Sequence, residues 1–296
     1  MIEGQPSQTA LHVAAARAAH LRYDPAPHLL QDHLAEVLLG DIGPDLIASY
    51  GNEASRWIML ENRLFIPLRA RYAEDRLADA YRTGVRQLVV LGAGLDSYAF
   101  RRPADQSELR IFEVDHPSTQ KWKTERVAAL GWPIPGGHEF VACDFEKTSA
   151  ASALAASGFA STEPAIVSWL GVTYYLEPET VRAALADLAQ LLAPGSEVIL
   201  DYMLPIEDLP ERYQELQAAM REFLTAQGEP QSNRYRSQEI LDRILEAGFS
   251  RAQIEEHPAL FDRYIAPLAS TIPISERFGL AVASNAKVTD GAAGGT

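Results

Sequence analysis

Residues 87–102 read Gln-Leu-Val-Val-Leu-Gly-Ala-Gly-Leu-Asp-Ser-Tyr-Ala-Phe-Arg-Arg. The apolar run Leu88–Leu91 enters Gly92-Ala93-Gly94 directly, the pattern of a buried parallel strand that ends in a tight glycine turn and opens a helix. Such a turn lets a nucleotide cofactor approach the backbone at the carboxyl end of the strand. The third glycine of the dinucleotide pattern G-x-G-x-x-G is missing, because Ser97 occupies its place. The stretch therefore points to a nucleotide and argues against NAD.

Working outward, strand and helix patterns alternate from residue 87 onward, which predicts a doubly wound parallel sheet. Strands are expected at 87–91, 109–114, 139–143, 165–170 and 196–202, with later strands at Ala252–Glu256 and Gly279–Ala283. Helices are expected at 118–130, 178–193 and 237–247. The second of these opens on Glu177-Pro178-Glu179 and closes on Pro194-Gly195. A helical insertion is expected at about 206–235, its polar helical part at roughly 206–227, after which Gly228-Glu229-Pro230 breaks the chain. The preceding block reads as helices at 8–22, within 28–50 and at 53–83, with Pro67 as a kink or break. Residues 1–84 are thus expected to form a helical cap, 85–285 the α/β core, and 286–296 a flexible tail.

Composition narrows the partners. The chain has 296 residues and a formal charge of −14. An acidic surface repels phosphate backbones and anionic lipid, so neither nucleic acid nor membrane is an expected partner. Cys143 is the only cysteine, which excludes an intrachain disulfide and a cysteine-based metal site, and no metal is expected. Its apolar neighbours suit a buried small hydrophobe. The N-terminus lacks the basic and apolar regions of a signal peptide, and no apolar run approaches a membrane span, so a cytoplasmic enzyme is expected.

Chemistry-bearing residues gather at the predicted strand ends. In Glu113-Val114-Asp115-His116, an acid stands about 20 residues beyond the glycine turn, where a carboxylate can accept both ribose hydroxyls. Glu113 and Asp115 share a strand face, so periodicity does not choose between them; Asp115, nearer the strand end, is preferred. Asp144-Phe145 after the third strand suits adenine, the carboxylate taking the exocyclic amine. Asp96 serves either a cofactor or the cap of the next helix. After the fourth strand, Gly171-Val172-Thr173-Tyr174-Tyr175 brings hydroxyls to the cleft, with Tyr175 read as packing.

These segments resemble, in order along nearly the whole chain, the S-adenosylmethionine-dependent methyltransferases related to leucine carboxyl methyltransferase, in particular a bacterial branch of O-methyltransferases. The matching stretches include Thr9–Ala18, Arg71–Leu77, Gln87–Arg101, Glu113–Pro117 with Lys123, Asp144-Phe145, Ser168–Leu176 and Ala247–Phe249. The resemblance implies a class I methyltransferase fold, Rossmann-like, with a seven-stranded doubly wound sheet and an N-terminal helical lid. It implies S-adenosylmethionine contacts at Gly92, Ala93 and Gly94, at Asp115, and at Asp144 with Phe145. It also implies a basic residue for the cofactor carboxylate, with Arg71 the best match and Arg17 a looser one. Leu170 departs from the pattern, since leucine carboxyl methyltransferases carry a glutamate there, and this argues against their phosphatase substrate.

The expected reaction is O-methylation of a carboxyl or hydroxyl group on a small molecule. A hydroxyl acceptor would need a base, for which His116, Asp201 and Tyr202 are candidates without a ranking. The competing expectations are an NAD(P)-dependent oxidoreductase and a non-catalytic cofactor-binding protein that meets a protein partner.

Overall fold

The computed structural model describes residues 7–51, 57–211, 213–214, 225, 231, 233–268 and 274–286. Strands β1 (Gln87–Leu91), β2 (Arg110–Asp115), β3 (His138–Ala142), β4 (Ala165–Trp169), β5 (Glu197–Met203), β6 (Arg251–Glu255) and β7 (Phe278–Ser284) form one sheet. Their order is β3-β2-β1-β4-β5-β7-β6, with β7 antiparallel to both neighbours and the other pairings parallel. The expected strands fall within a residue of these bounds. From β1 the chain winds outward to β2 and β3, then returns to place β4 on the other side of β1. A crevice is expected outside the carboxyl ends at such a reversal.

Alternation along each central strand builds two cores. Val89, Leu91, Phe112, Val114, Val167 and Val198 face one side of the sheet, and Leu88, Val90, Ile111, Ile166 and Ile199 face the other. On the first side lie α7 (Ala150–Ala155), α8 (Pro178–Leu191) and α9 (Ser237–Glu246), burying Leu154, Val181, Leu185, Leu188, Ile240 and Ile244. On the second side α4 (Trp57–Arg82) lays Leu64, Leu68, Tyr72 and Leu77 against the strands. The short α5 (Tyr98–Arg101) follows the glycine turn, and α6 (Pro117–Ala129) follows β2.

A third cluster joins α1 (Gln8–Tyr23) to α2 (Leu34–Leu39), α3 (Gly43–Ala48) and α4. Its alanines (Ala14, Ala15, Ala16, Ala18 and Ala19) are all buried, and side chains this small allow close helix approach. The helix expected at 53–83 is continuous through Pro67, which neither ends nor interrupts it. Proline there withholds one N–H, a loss that packing along the rest of α4 tolerates. Of the expected 206–235 insertion, Ile206–Asp208 is a short 3₁₀ turn; most of the remainder lies outside the described residues, as does the tail from 287.

The glycine turn holds for steric reasons that the sequence does not disclose. Gly92 has φ +67°, and a Cβ there would lie 2.2 Å from Val172 Cγ2. Gly94 has φ +51°, and its Cβ would lie 3.0 Å from the Cβ of Ala10. Positive φ is strained for any side chain, so two constraints coincide at each position.

Candidate active site

At the reversal point the carboxyl ends of β1 to β4 open into a cavity of about 490 Å³, within the range of small-molecule sites. Its floor includes Gly92-Ala93-Gly94, Asp115, His116, Asp144, Phe145 and Leu170. Its roof comes from Thr9, Val13 and Arg17 of α1 and from Ile66 and Arg69 of α4. The spacing of four along α1 puts those three side chains on one helix face. All of the strand-end residues expected to hold the cofactor therefore meet here.

The structure separates the two acids of β2. Glu113 is buried away from the cavity, bonded to Lys123 Nζ and 3.3 Å from His138 Nε2. Burial alone would raise its pKa, but the Lys123 ammonium, with His138, holds it below the ordinary glutamate value. Asp115 reaches the cavity instead: one carboxylate oxygen accepts the Gly94 N–H, and the other accepts the His116 N–H at 2.6 Å. Each oxygen retains a lone pair for a ligand hydroxyl. Burial pushes the Asp115 carboxyl up to about 6, against the lowering effect of the two N–H donors.

A pH dependence follows. If Asp115 takes the ribose, as the resemblance implies, only its ionised carboxylate accepts both hydroxyls, and cofactor affinity is expected to be flat above about pH 6. Below it, affinity falls about tenfold per unit as Asp115 takes up its proton. Titration calorimetry across this range measures the step, and Asp115→Asn is expected to remove it. A step that survives in that variant belongs to another group.

Asp144 is anchored by its own loop, accepting from Glu146 N at 3.1 Å and from Lys147 Nζ at 2.7 Å. The Lys147 bond holds it below the usual aspartate value. Phe145 packs partly buried beside it and faces the cavity. Asp96, one residue ahead of the Ser97 N-cap, accepts the Tyr98 N–H at 2.7 Å and also lines the cavity. Ser97 is buried and accepts from Arg101 Nε at 2.9 Å. Its hydroxyl thus belongs to a polar network of Arg101, Glu74, Asp32 and Arg17 behind the turn.

The two basic candidates are placed differently from each other. Arg71 is half-exposed, pairs with Asp75 at 2.8 Å and does not line the cavity. Two residues earlier, Arg69 is buried and does line it. Two helical steps rotate a side chain by roughly 200°, which explains why one arginine faces inward and the other outward. Arg17 is also inward, donating to Asp32 at 2.8 Å and to the Leu95 carbonyl at 2.6 Å. Burial would raise Asp32, but Arg17 and Arg101 beside it hold its carboxyl low, so this anchor stays charged.

Arg69 is fixed by Asp201, which bonds its Nη1, and by the Tyr174 hydroxyl at 3.0 Å. Asp201 also accepts the Gly171 N–H at 2.6 Å, and its carbonyl accepts from Thr173 Oγ1 at 2.7 Å. Asp201 is thereby committed to holding Arg69 rather than to proton transfer. Tyr202 is buried, within hydrogen-bond distance of Ser237 Oγ at 2.9 Å, and lines neither cavity. His116 caps α6 and faces Asp144 at 3.8 Å, on the side expected for ribose and adenine.

Beyond Arg69 lies a second cavity of about 270 Å³, sharing Thr9, Val13, Ile66, Arg69 and Tyr175 with the first. Phe65, Tyr50, Tyr174 and Phe278 give it an aromatic wall; His12 and Arg277 are its other ionisable groups. Tyr175, read as packing, faces both cavities. His12, Arg69 and Arg277 had no local motif to mark them. Among the described residues no cluster of three or more metal-ligating side chains occurs, and no helix is long and apolar enough to cross a membrane.

The sheet order, the glycine turn and the two acids at successive strand ends define a class I methyltransferase architecture. A family model described as leucine carboxyl methyltransferase matches residues 10–189. A Bacillus subtilis protein named "Putative S-adenosyl-L-methionine-dependent methyltransferase YktD" is 32% identical over 281 residues, covering 87% of this chain and 90% of its own. A similarly named Mycolicibacterium smegmatis protein is 33% identical over 227 residues, covering 73% and 72%. In fold, the chain is similar to a DUF574 family protein from Streptomyces avermitilis, with a TM-score of 0.60, 15% identity, and coverage of 93% and 99%. The chain belongs to the leucine carboxyl methyltransferase family and is an S-adenosylmethionine-dependent methyltransferase.

Proposed function

We propose that this chain methylates an oxygen, carboxylate or hydroxyl, of a small molecule held in the second cavity. The observation that carries the proposal is the shared wall: Arg69 and Tyr175 border both the strand-end cavity and its aromatic neighbour. A donor and an acceptor in those two spaces would meet beside these side chains.

S-adenosylmethionine supplies an activated methyl group on a sulfonium. In our reading the chain binds its ribose through Asp115, its adenine through Asp144 and Phe145, and its turn-facing backbone through Gly92, Ala93 and Gly94. Arg17 and Arg69, the inward-facing cations, are the groups suited to its carboxylate. Ion pairs with Asp32 and Asp201 fix both guanidiniums before binding, so little ordering is left for the ligand to impose. Alignment of donor and acceptor accounts for up to about 7–11 kcal/mol of barrier in such reactions. A carboxylate acceptor needs no base. A hydroxyl would pass its proton to a neighbouring group, and His12 is the imidazole lining the acceptor cavity.

The test is transfer of a radiolabelled methyl group from S-adenosylmethionine to a panel of small carboxylic acids and phenols. Label is expected in the small-molecule fraction. Base-labile label marks an ester and base-stable label an ether. Label that enters protein or nucleic acid instead, with none in the panel, counts against this function.

A further inference from the structure

Arg277 stands at the head of β7, 2% exposed, in the wall of the second cavity but not of the first. It is held from behind. Its Nη2 donates to Asn62 Oδ1 at 2.6 Å, and its Nε donates to Ser275 Oγ at 3.1 Å and weakly to Glu61 Oε2 at 3.4 Å. Glu61 is itself shared, accepting from the hydroxyls of Tyr213 and Ser275. Among the described residues nothing accepts from Nη1.

The charge balance around it is one-sided. Aromatic and aliphatic side chains form much of the cavity wall; among the described residues Arg69 and Arg277 are its charged side chains, and no aspartate or glutamate lines it. This occurs in a chain whose formal charge is −14. Arg69 is neutralised at short range by Asp201, whereas the one carboxylate contact of Arg277 among the described residues is the longer, shared one to Glu61, with the Phe278 ring 4.9 Å from its guanidinium. Burial lowers the Arg277 pKa despite Glu61, the direction expected of an incompletely compensated cation. A guanidinium remains charged even so. Leaving a charged donor in an apolar space is costly unless a ligand acceptor satisfies it.

We propose that Arg277 is a specificity-determining anion subsite: the acceptor is an aromatic or apolar molecule bearing a carboxylate that Arg277 grips and that is not the group methylated. Arg277 borders only the second cavity, while the reacting oxygen belongs at the shared wall beside Arg69 and Tyr175. Phe65 and Phe278, stacked at 4.6 Å, flank the space for the apolar body. The anchored carboxylate would then persist in the product. The proposal rests on the second cavity being the acceptor site.

Calorimetry with phenylacetate and its neutral isostere phenylacetamide, on the full chain with S-adenosylmethionine present, tests it. Phenylacetate is expected to bind at least about tenfold more tightly, since a hydrogen bond to a charged group is worth about that factor or more. Arg277→Gln should abolish the preference and Arg277→Lys restore part of it, with S-adenosylmethionine affinity unchanged in both as the measure of intact folding. The subsite is overturned if wild type binds both probes equally or neither, or if Arg277→Gln keeps the preference. The same preparation assayed for methyl transfer to the panel of carboxylic acids and phenols, rather than to phenylacetate, whose only oxygens Arg277 would hold, keeps the two proposals apart. Transfer without acid preference removes only the subsite; acid preference without transfer removes only the methylation function.

Discussion

Replacement of Asp115 by alanine is expected to weaken S-adenosylmethionine binding by about 10²–10⁴-fold. Its carboxylate is placed at the end of β2 by the Gly94 and His116 N–H groups, with one lone pair on each oxygen left for a ribose hydroxyl. Two hydrogen bonds to a charged acceptor, each worth about 1.5–3 kcal/mol, give that range. Glu113 does not substitute, because Lys123 and His138 hold it in the interior. Asp115→Asn keeps one acceptor oxygen and should lose less. Calorimetry measures the effect, and a change below about threefold would move the ribose elsewhere.

Asp201→Ala is expected to cost about 3–5 kcal/mol of stability, because it leaves the Arg69 guanidinium buried without its carboxylate. The same change strands the Gly171 N–H. For a chain of this size the melting temperature should fall by roughly 5–8 °C, which a thermal scan reads directly. The paired change Arg69→Met with Asp201→Leu removes both charges and should recover much of that loss. It should not recover methyl transfer, since an inward cation is gone. Recovery of both would make the pair a purely structural one.

The sheet was legible because local signals suffice for it. Leu88–Leu91 ahead of Gly92, and Pro178 and Pro194-Gly195 around α8, mark ends with chemistry that acts within a few residues. The strand-end acids were legible for the same reason, as their position along a strand fixes their position at the crevice. Choosing between Glu113 and Asp115 needed tertiary structure, because the two point to the same side and differ in what lies opposite. Lys123 decides that, from a helix ten residues on.

The basic residues were the hardest to place. Arg69 and Arg71 share one segment, and only the rotation of α4 against the sheet separates the inward side chain from the one paired with Asp75. Tyr175 precedes a helix and so reads locally as packing, yet the turn after β4 brings it to both cavities. The second cavity carries no local signature. It is assembled from α1, α4, the turn after β4 and the start of β7, segments that reach from Gln8 to Phe278 along the chain. Its charge pattern exists only in the folded chain.

Titration calorimetry of the purified protein with S-adenosylmethionine and, separately, with NADH bears most directly on the central claim that the strand-end cavity is a methyl-donor site. The prediction is one equivalent of S-adenosylmethionine bound per chain above pH 6, lost in Asp115→Ala, with no heat from NADH. Binding of NADH in the absence of S-adenosylmethionine binding would contradict it.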